Sequence, residues 1–198
     1  YWEDTKESFD KIDYWDNLIQ SNSDILVHVK KSSDILEAKK ANKIGIIYGF
    51  QNSAPIANDI FLVEKFFNKG LRFMQLTYNN QTPLAGGCYE KHDSGVSRFG
   101  EMVIEEMNRL GMIVDLSHAG KQTCLDAINF SKKPVAISHA NPSSFHQSIR
   151  NIDDEVLKQL ANKNGFIGLS LYPYHLKNHG NCKLEDFCEM INQLVNLM

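Results

Sequence analysis

The chain has 198 residues, 42% of them apolar and 23% charged, with a net charge of −3 and a pI near 6.2. This is an ordinary globular mixture, long enough for one sizeable core. No basic block invites nucleic acid, and no run approaches the roughly 18 consecutive apolar residues of a membrane span.

In chain order, Tyr1 to Gln20 is charged, with Phe9, Ile12, Trp15 and Ile19 at helical spacing. Ile25 to His28 reads as a short strand and Ser33 to Asn42 as a helix capped by Ser32 or Ser33. Ile44 to Gly49 is a strand, Asp59 to Lys69 a helix ended by Gly70, and Leu71 to Thr77 a strand. Phe99 to Leu110 is a helix with Phe99, Val103, Met107 and Leu110 on one stripe, stopped by Gly111. Met112 to His118 is a strand, Lys121 to Phe130 a helix, and Pro134 to His139 a strand. Ile152 to Asn162 is a helix whose Asp153, Asp154 and Glu155 suit its positive end. Gly165 to Leu171 is a further strand and Leu184 to Leu197 a last helix. The repeat is a run of βα units in one domain, residues 1–198. From the pattern alone it is either an open doubly wound sheet or part of a (β/α) barrel, which typically needs about 250 residues.

The chemistry concentrates in two apolar runs that each close on Ser-His: Met112-Ile-Val-Asp-Leu-Ser-His118 and Pro134-Val-Ala-Ile-Ser-His139. Two strands joined by a helix are parallel neighbours, so both histidines are expected at the C-terminal end of the sheet, where parallel α/β folds keep their ligand sites. There the two imidazoles can approach within about 3–5 Å and share a metal ion. The plainer alternative is a pair of polar strand ends. The connection from Tyr78 to Arg98 is too long for filler and lies on the same face. Cys88, Cys124, Cys182 and Cys188 lack CxxC spacing and read as reduced thiols, for which a cytoplasmic setting is the expectation.

These residues resemble the membrane (renal) dipeptidase family, zinc peptidases on a metal-dependent amidohydrolase-like barrel. The matching motifs are Leu76-Thr-Tyr-Asn79, Phe99 through Gly111, Val114-Asp-Leu-Ser-His118, Ile137-Ser-His139 and Arg150-Asn-Ile-Asp-Asp154. They follow the family's order across roughly Gly45 to Tyr172. The resemblance implies an α/β fold, a (β/α)8 TIM-like barrel present here as a fragment lacking its first and last βα units. It implies one or two zinc ions, with His118 and His139 as ligands. It also implies Arg150 on a substrate carboxylate, which suits a planar bidentate donor. Gln51 stands where the family has a glutamate bridging two metals, and Tyr78 where it has a histidine on the scissile carbonyl; a tyrosine hydroxyl can still donate to an oxyanion. Asn79, in the same motif, is expected to touch substrate. The family's early His-x-Asp pair has no counterpart, since Val29 and Lys30 follow His28, and its late Gly-Asp-Phe-Asp-Gly motif would fall beyond Met198. A chain cut short at both ends accounts for this; a family branch with an altered site is the alternative. His92 and His146 are placed in loops facing the site, and His28, His175 and His179 in solvent.

The implied function is hydrolysis of a dipeptide or similar small amide by a zinc-activated water. The competing reading, supported by Gln51, is a metal-depleted relative that binds or senses a small molecule. A lysine Schiff-base barrel is disfavoured because no lysine ends a predicted strand. The expected partner is a dipeptide-like small molecule, without nucleic acid or a membrane segment; a homodimer is left open.

Overall fold

A computed structural model of the chain describes residues 4–177 and 181–198. Among the described residues, seven α-helices and seven strands follow in the order α1 Thr5–Ser21, β1 Leu26–His28, α2 Ser32–Lys40, β2 Ile44–Ile46, β3 Tyr48–Phe50, α3 Phe61–Asn68, β4 Leu71–Gln75, α4 Arg98–Leu110, β5 Ile113–Asp115, α5 Lys121–Phe130, β6 Ala136–Ala140, α6 Asp154–Asn162, β7 Phe166–Leu169 and α7 Leu184–Leu197. Strands β3 to β7 form one parallel sheet in sequence order, and β1 pairs with β2 in a separate parallel ribbon. Neighbouring strands in sequence order, each reached through a helix, are the pattern of barrel staves.

The helices form where caps and apolar stripes coincide. Ser97 accepts a hydrogen bond from the Gly100 amide at 3.0 Å and starts α4. Gly111, at φ +80°, ends it in the left-handed conformation that glycine adopts without a Cβ penalty. Between them Val103, Ile104 and Met107 are wholly buried, each contributing roughly 1.5–3 kcal/mol of apolar transfer. Asp153 caps α6 in the same way, and Val156, Leu157 and Leu160 are its buried stripe. Helix α5 starts at Gly120, which has no side chain to cap with; the Asp93 carboxylate instead accepts from the Thr123 amide at 3.1 Å and the Thr123 hydroxyl at 2.7 Å. The central strands are covered on both faces, so Met74, Leu76, Val114, Leu116, Ala136 and Ile137 are all buried.

Two strand expectations are revised. The predicted strand Ile44–Gly49 serves two sheets: β2 pairs with β1, and after Ile47 the chain resumes as β3 beside β4. The run Met112–His118 is strand only as far as Asp115, and His118 lies in the turn beyond. Tyr1 to Glu3, at the front of the first predicted helix, lie outside the described residues, as does His179.

Candidate functional site

The end of β5 explains the site. Its pairing with β6 has one register pair, Asp115 opposite Ala136. Beyond it side chains replace the ladder: the Ser138 amide donates to Asp115 Oδ1 at 3.0 Å and the His139 amide to Ser117 Oγ at 3.1 Å. Hydroxyl and carboxylate groups thus hold the two strands where main-chain bonds would otherwise run. The imidazoles emerge from this polar seam, and His118 Nε2 lies 2.9 Å from His139 Nε2.

The other nitrogen of each ring is also engaged. His118 Nδ1 lies 2.7 Å from Asn79 Oδ1, and His139 Nδ1 lies 2.8 Å from Ser138 Oγ. Asn79 is held at φ +63°, and its carbonyl accepts from the Tyr89 amide at 2.8 Å. The Tyr78 ring stacks on His118 with centroids 4.2 Å apart. The long loop is therefore an ordered cover: the Cys88 amide donates to the His118 carbonyl at 3.0 Å, and Gly87 bridges to Ala119.

Arg150 is 3% exposed, and its Nη2 donates to the His139 carbonyl at 2.8 Å. Its Nη1 is buried without a hydrogen-bond partner, an unsatisfied donor of the kind that costs about 1–3 kcal/mol or more. Burial and the Arg150 charge act together on the histidines. His118 is pushed down to about 3 by burial, by Arg150 and by His139, with Asp115 opposing. Burial and then Arg150 likewise lower His139. Both rings are thus held neutral, the state in which an imidazole binds a metal.

The expected residues are distributed as follows. His118, His139, Arg150, Tyr78 and Asn79 come together, and Asn79 uses its amide oxygen on His118. Gln51 is exposed, one residue past β3, and makes no hydrogen bond to either histidine. His92 is exposed and His146 half-buried. Two expectations of solvation are corrected. The His28 side chain is 11% exposed, between the Tyr48 ring at 3.9 Å and Asp16 at 3.3 Å. His175 is half-buried, its Nδ1 shut off from solvent, and Asn141 and Asn151 both donate to its main-chain carbonyl, at 3.2 and 3.0 Å. Sequence reasoning missed Asp115, Ser138 and Gln75. The available signal was the placement of Asp115 three residues before His118 in an otherwise apolar run, since a carboxylate in a central strand requires partners.

The donor set fits part of a zinc site. Two nitrogens bound to one tetrahedral zinc at about 2.0–2.1 Å would stand about 3.3 Å apart, so the observed 2.9 Å would open slightly. Among the described residues no group of three or more His, Cys, Asp or Glu converges as a metal site, so a full tetrahedral shell needs further ligands.

The chain is 28% identical to an uncharacterized dipeptidase of Schizosaccharomyces pombe over 202 residues, covering 97% of this chain and 48% of that protein. It thus spans about half the length of this curated relative. A solved amidohydrolase from Pseudomonas aeruginosa is 39% identical with a TM-score of 0.95, over 99% of this chain and 60% of that one. A metallopeptidase from Rhodobacter sphaeroides, solved with a phosphinate mimic of the dipeptide L-Ala-D-Ala, shares the fold at a TM-score of 0.81 and 20% identity, over 86% of this chain and 52% of that one. The family model for membrane dipeptidase, peptidase family M19, matches residues 3–198. With its parallel sheet and paired histidines already in place, the chain belongs to the membrane dipeptidase family, peptidase family M19.

Proposed function

We propose that the protein carrying this chain is a zinc-dependent hydrolase that cleaves the amide bond of dipeptides or similar small amides. The observation that carries this reading is the convergence of three features: two imidazole Nε2 atoms 2.9 Å apart, both rings held neutral, and a buried guanidinium with a free Nη1 beside them. His118 and His139 would hold the ion, with Gln51 a further candidate at the same end of the sheet. Zinc, when bound, supplies a water of lowered pKa and polarises the carbonyl. Arg150 receives the substrate's terminal carboxylate on Nη1 while Nη2 stays on the His139 carbonyl, which fixes the distance between carboxylate and reacting bond. Tyr78 stacks on His118, and its hydroxyl would be the donor to the oxyanion. Asn79 keeps His118 oriented and borders the same space. A neighbour of this fold holds a dipeptide mimic, which agrees with a dipeptide as substrate.

The test is hydrolysis of free-acid and C-terminally amidated dipeptides by the whole protein, before and after chelation and zinc return. Zinc-dependent turnover with a strong preference for the free acid is expected. Equal turnover of both substrates would remove the carboxylate clamp, and turnover unaffected by complete metal removal would remove the metal.

A further inference from the structure

Beneath the two histidines lies a carboxylate that the proposed reaction does not use. Asp115 is 4% exposed and accepts five hydrogen bonds. Its Oδ1 takes the Ser117 amide at 3.1 Å, the Ser117 hydroxyl at 2.6 Å and the Ser138 amide at 3.0 Å. Its Oδ2 takes the Ser138 hydroxyl, and Gln75 Nε2 at 3.0 Å. The register that sets Gln75 opposite Asp115 across β4 and β5 makes that last contact unavoidable. Burial pushes the carboxyl up, but the hydrogen bonds from Ser117, Ser138 and Gln75 outweigh it, and the group stays ionised below its ordinary range.

A hydroxyl has one proton to give. If the Ser138 proton goes to the Asp115 carboxylate, the stronger acceptor, Ser138 Oγ can only accept from His139. The 2.8 Å contact is then a bond donated by His139 Nδ1, and the ring carries its proton there. On the other side Asn79 Oδ1 can only accept, so His118 also donates from Nδ1, at 2.7 Å. Both Nε2 atoms are left with lone pairs that face each other across 2.9 Å. Two lone pairs repel unless a cation stands between them. The structure therefore prepares the gap for a positive ion.

We propose that Asp115 is a positioning residue that acts through Ser138: it fixes the tautomer of His139 so that a lone pair, not a proton, faces His118. Its effect on metal affinity rests on the metallohydrolase reading above; its effect on the tautomer does not.

Asp115→Asn tests the relay while preserving its shape. The amide oxygen can keep all three bonds now made to Oδ1. The amide nitrogen then occupies the place of Oδ2, facing Ser138 and Gln75. Gln75 Oε1 is buried without a partner, so a flip of that side chain turns it into the acceptor the new amide needs. Ser138 Oγ now receives a hydrogen bond from the new amide, and of the two acceptors left to its own proton, Ser117 Oγ at 3.0 Å and His139 Nδ1 at 2.8 Å, the imidazole nitrogen is the stronger and takes it. The ring answers by carrying its proton on Nε2, and that proton fills the gap between the histidines.

The measurement is NMR of the whole protein, labelled with 15N-histidine and stripped of metal by chelation, with His118→Gln and His139→Gln used for assignment. In the wild type both rings should show a protonated Nδ1 and an unprotonated Nε2. In Asp115→Asn the His139 pattern should reverse while that of His118 stays, and zinc affinity by chelator competition should fall about ten- to a hundredfold. Asp93→Asn, a change at a half-buried carboxylate bonded to Gly95 and Thr123 and outside this network, should leave both patterns alone. Ser138→Ala serves if Asp115→Asn does not fold: without its acceptor, His139 should lose its single tautomer and show a mixture. A wild-type His139 protonated on Nε2, or an unchanged His139 in a folded Asp115→Asn, would overturn the proposal. A protein that shows the reversal yet takes up no zinc would overturn the metallohydrolase reading and leave the role of Asp115 standing.

Discussion

Under the proposed metallohydrolase reading, Arg150 and Gln51 would serve different parts of the site. Arg150 is buried, anchored by one nitrogen and free at the other, so its removal should cost binding that ground and transition states share. Arg150→Ala is expected to raise KM far more than it lowers kcat. The loss in kcat/KM should be about 30- to 1,000-fold for free-acid dipeptides, on the order of 2–4 kcal/mol for one partner of a buried charge pair. Amidated substrates should be indifferent to the change, and steady-state kinetics on both substrate types checks this. If Gln51 borders the proposed metal site, it would offer an amide oxygen but no charge, and a second dication beside the first would meet repulsion that this side chain does not offset. The whole protein should retain at most one metal tightly after dialysis, and Gln51→Glu should increase the retained equivalents. Two equivalents retained by the wild type would contradict this.

At the scale of elements, the loop between β4 and α4 matters most. Gly87 shows why this loop tolerates no side chain at its closest approach: a Cβ there would lie 2.0 Å from the Asn79 carbonyl oxygen, a backbone atom that cannot swing away. Gly87→Ala should push the Asn79 segment off His118, costing about 1–3 kcal/mol of stability as an overpacked site. It should also lower zinc affinity by about ten- to a hundredfold as His118 loses its orienting bond. Thermal unfolding and chelator competition, compared with Ile128→Ala, separate the two effects. That control empties a buried position in α5 away from the histidines, and it should lose comparable stability while keeping zinc.

For the molecule as a whole, pH dependence of stability reports on a second buried histidine on another part of the fold. His28 sits at the end of β1 against Tyr48, Asp16 and the Gly70 backbone, with Lys30 and Arg72 nearby. Burial first, then the Lys30 charge, lower its affinity for a proton, with Asp16 opposing. Below about pH 6.5 the unfolded chain protonates this ring more readily than the folded one, so stability falls as pH falls, by at most about 1.4 kcal/mol per pH unit for this group. Urea unfolding at about pH 7 and about pH 5.5 should show a smaller difference for His28→Gln than for the wild type. An unchanged difference would mean that His28 takes up its proton equally in both states. None of the described helices is long and apolar enough to cross a membrane.

Periodicity and punctuation sufficed for most of the elements and their order, because helices such as α4 and α6 carry cap, stripe and stop in a single stretch of chain. The βα alternation also sufficed to bring His118 and His139 to one end of a parallel sheet, since that is a matter of connectivity. What no local pattern holds is decided across the sheet. Ile44 to Gly49 reads as continuous strand, yet its two halves bond to different neighbours, and only the position of β1 and β4 settles where it divides. His28 looks like a solvent residue in sequence and becomes enclosed because Tyr48 and Asp16 arrive from distant segments, and His175 is half-buried where Asn141 and Asn151 hold its backbone. Asp115 reads as one polar residue in an apolar run until Gln75 and Ser138 close on it from the strands on either side. Hydrophobic spacing is set within one turn or one pleat, whereas burial of a polar group depends on partners that only the assembled sheet supplies.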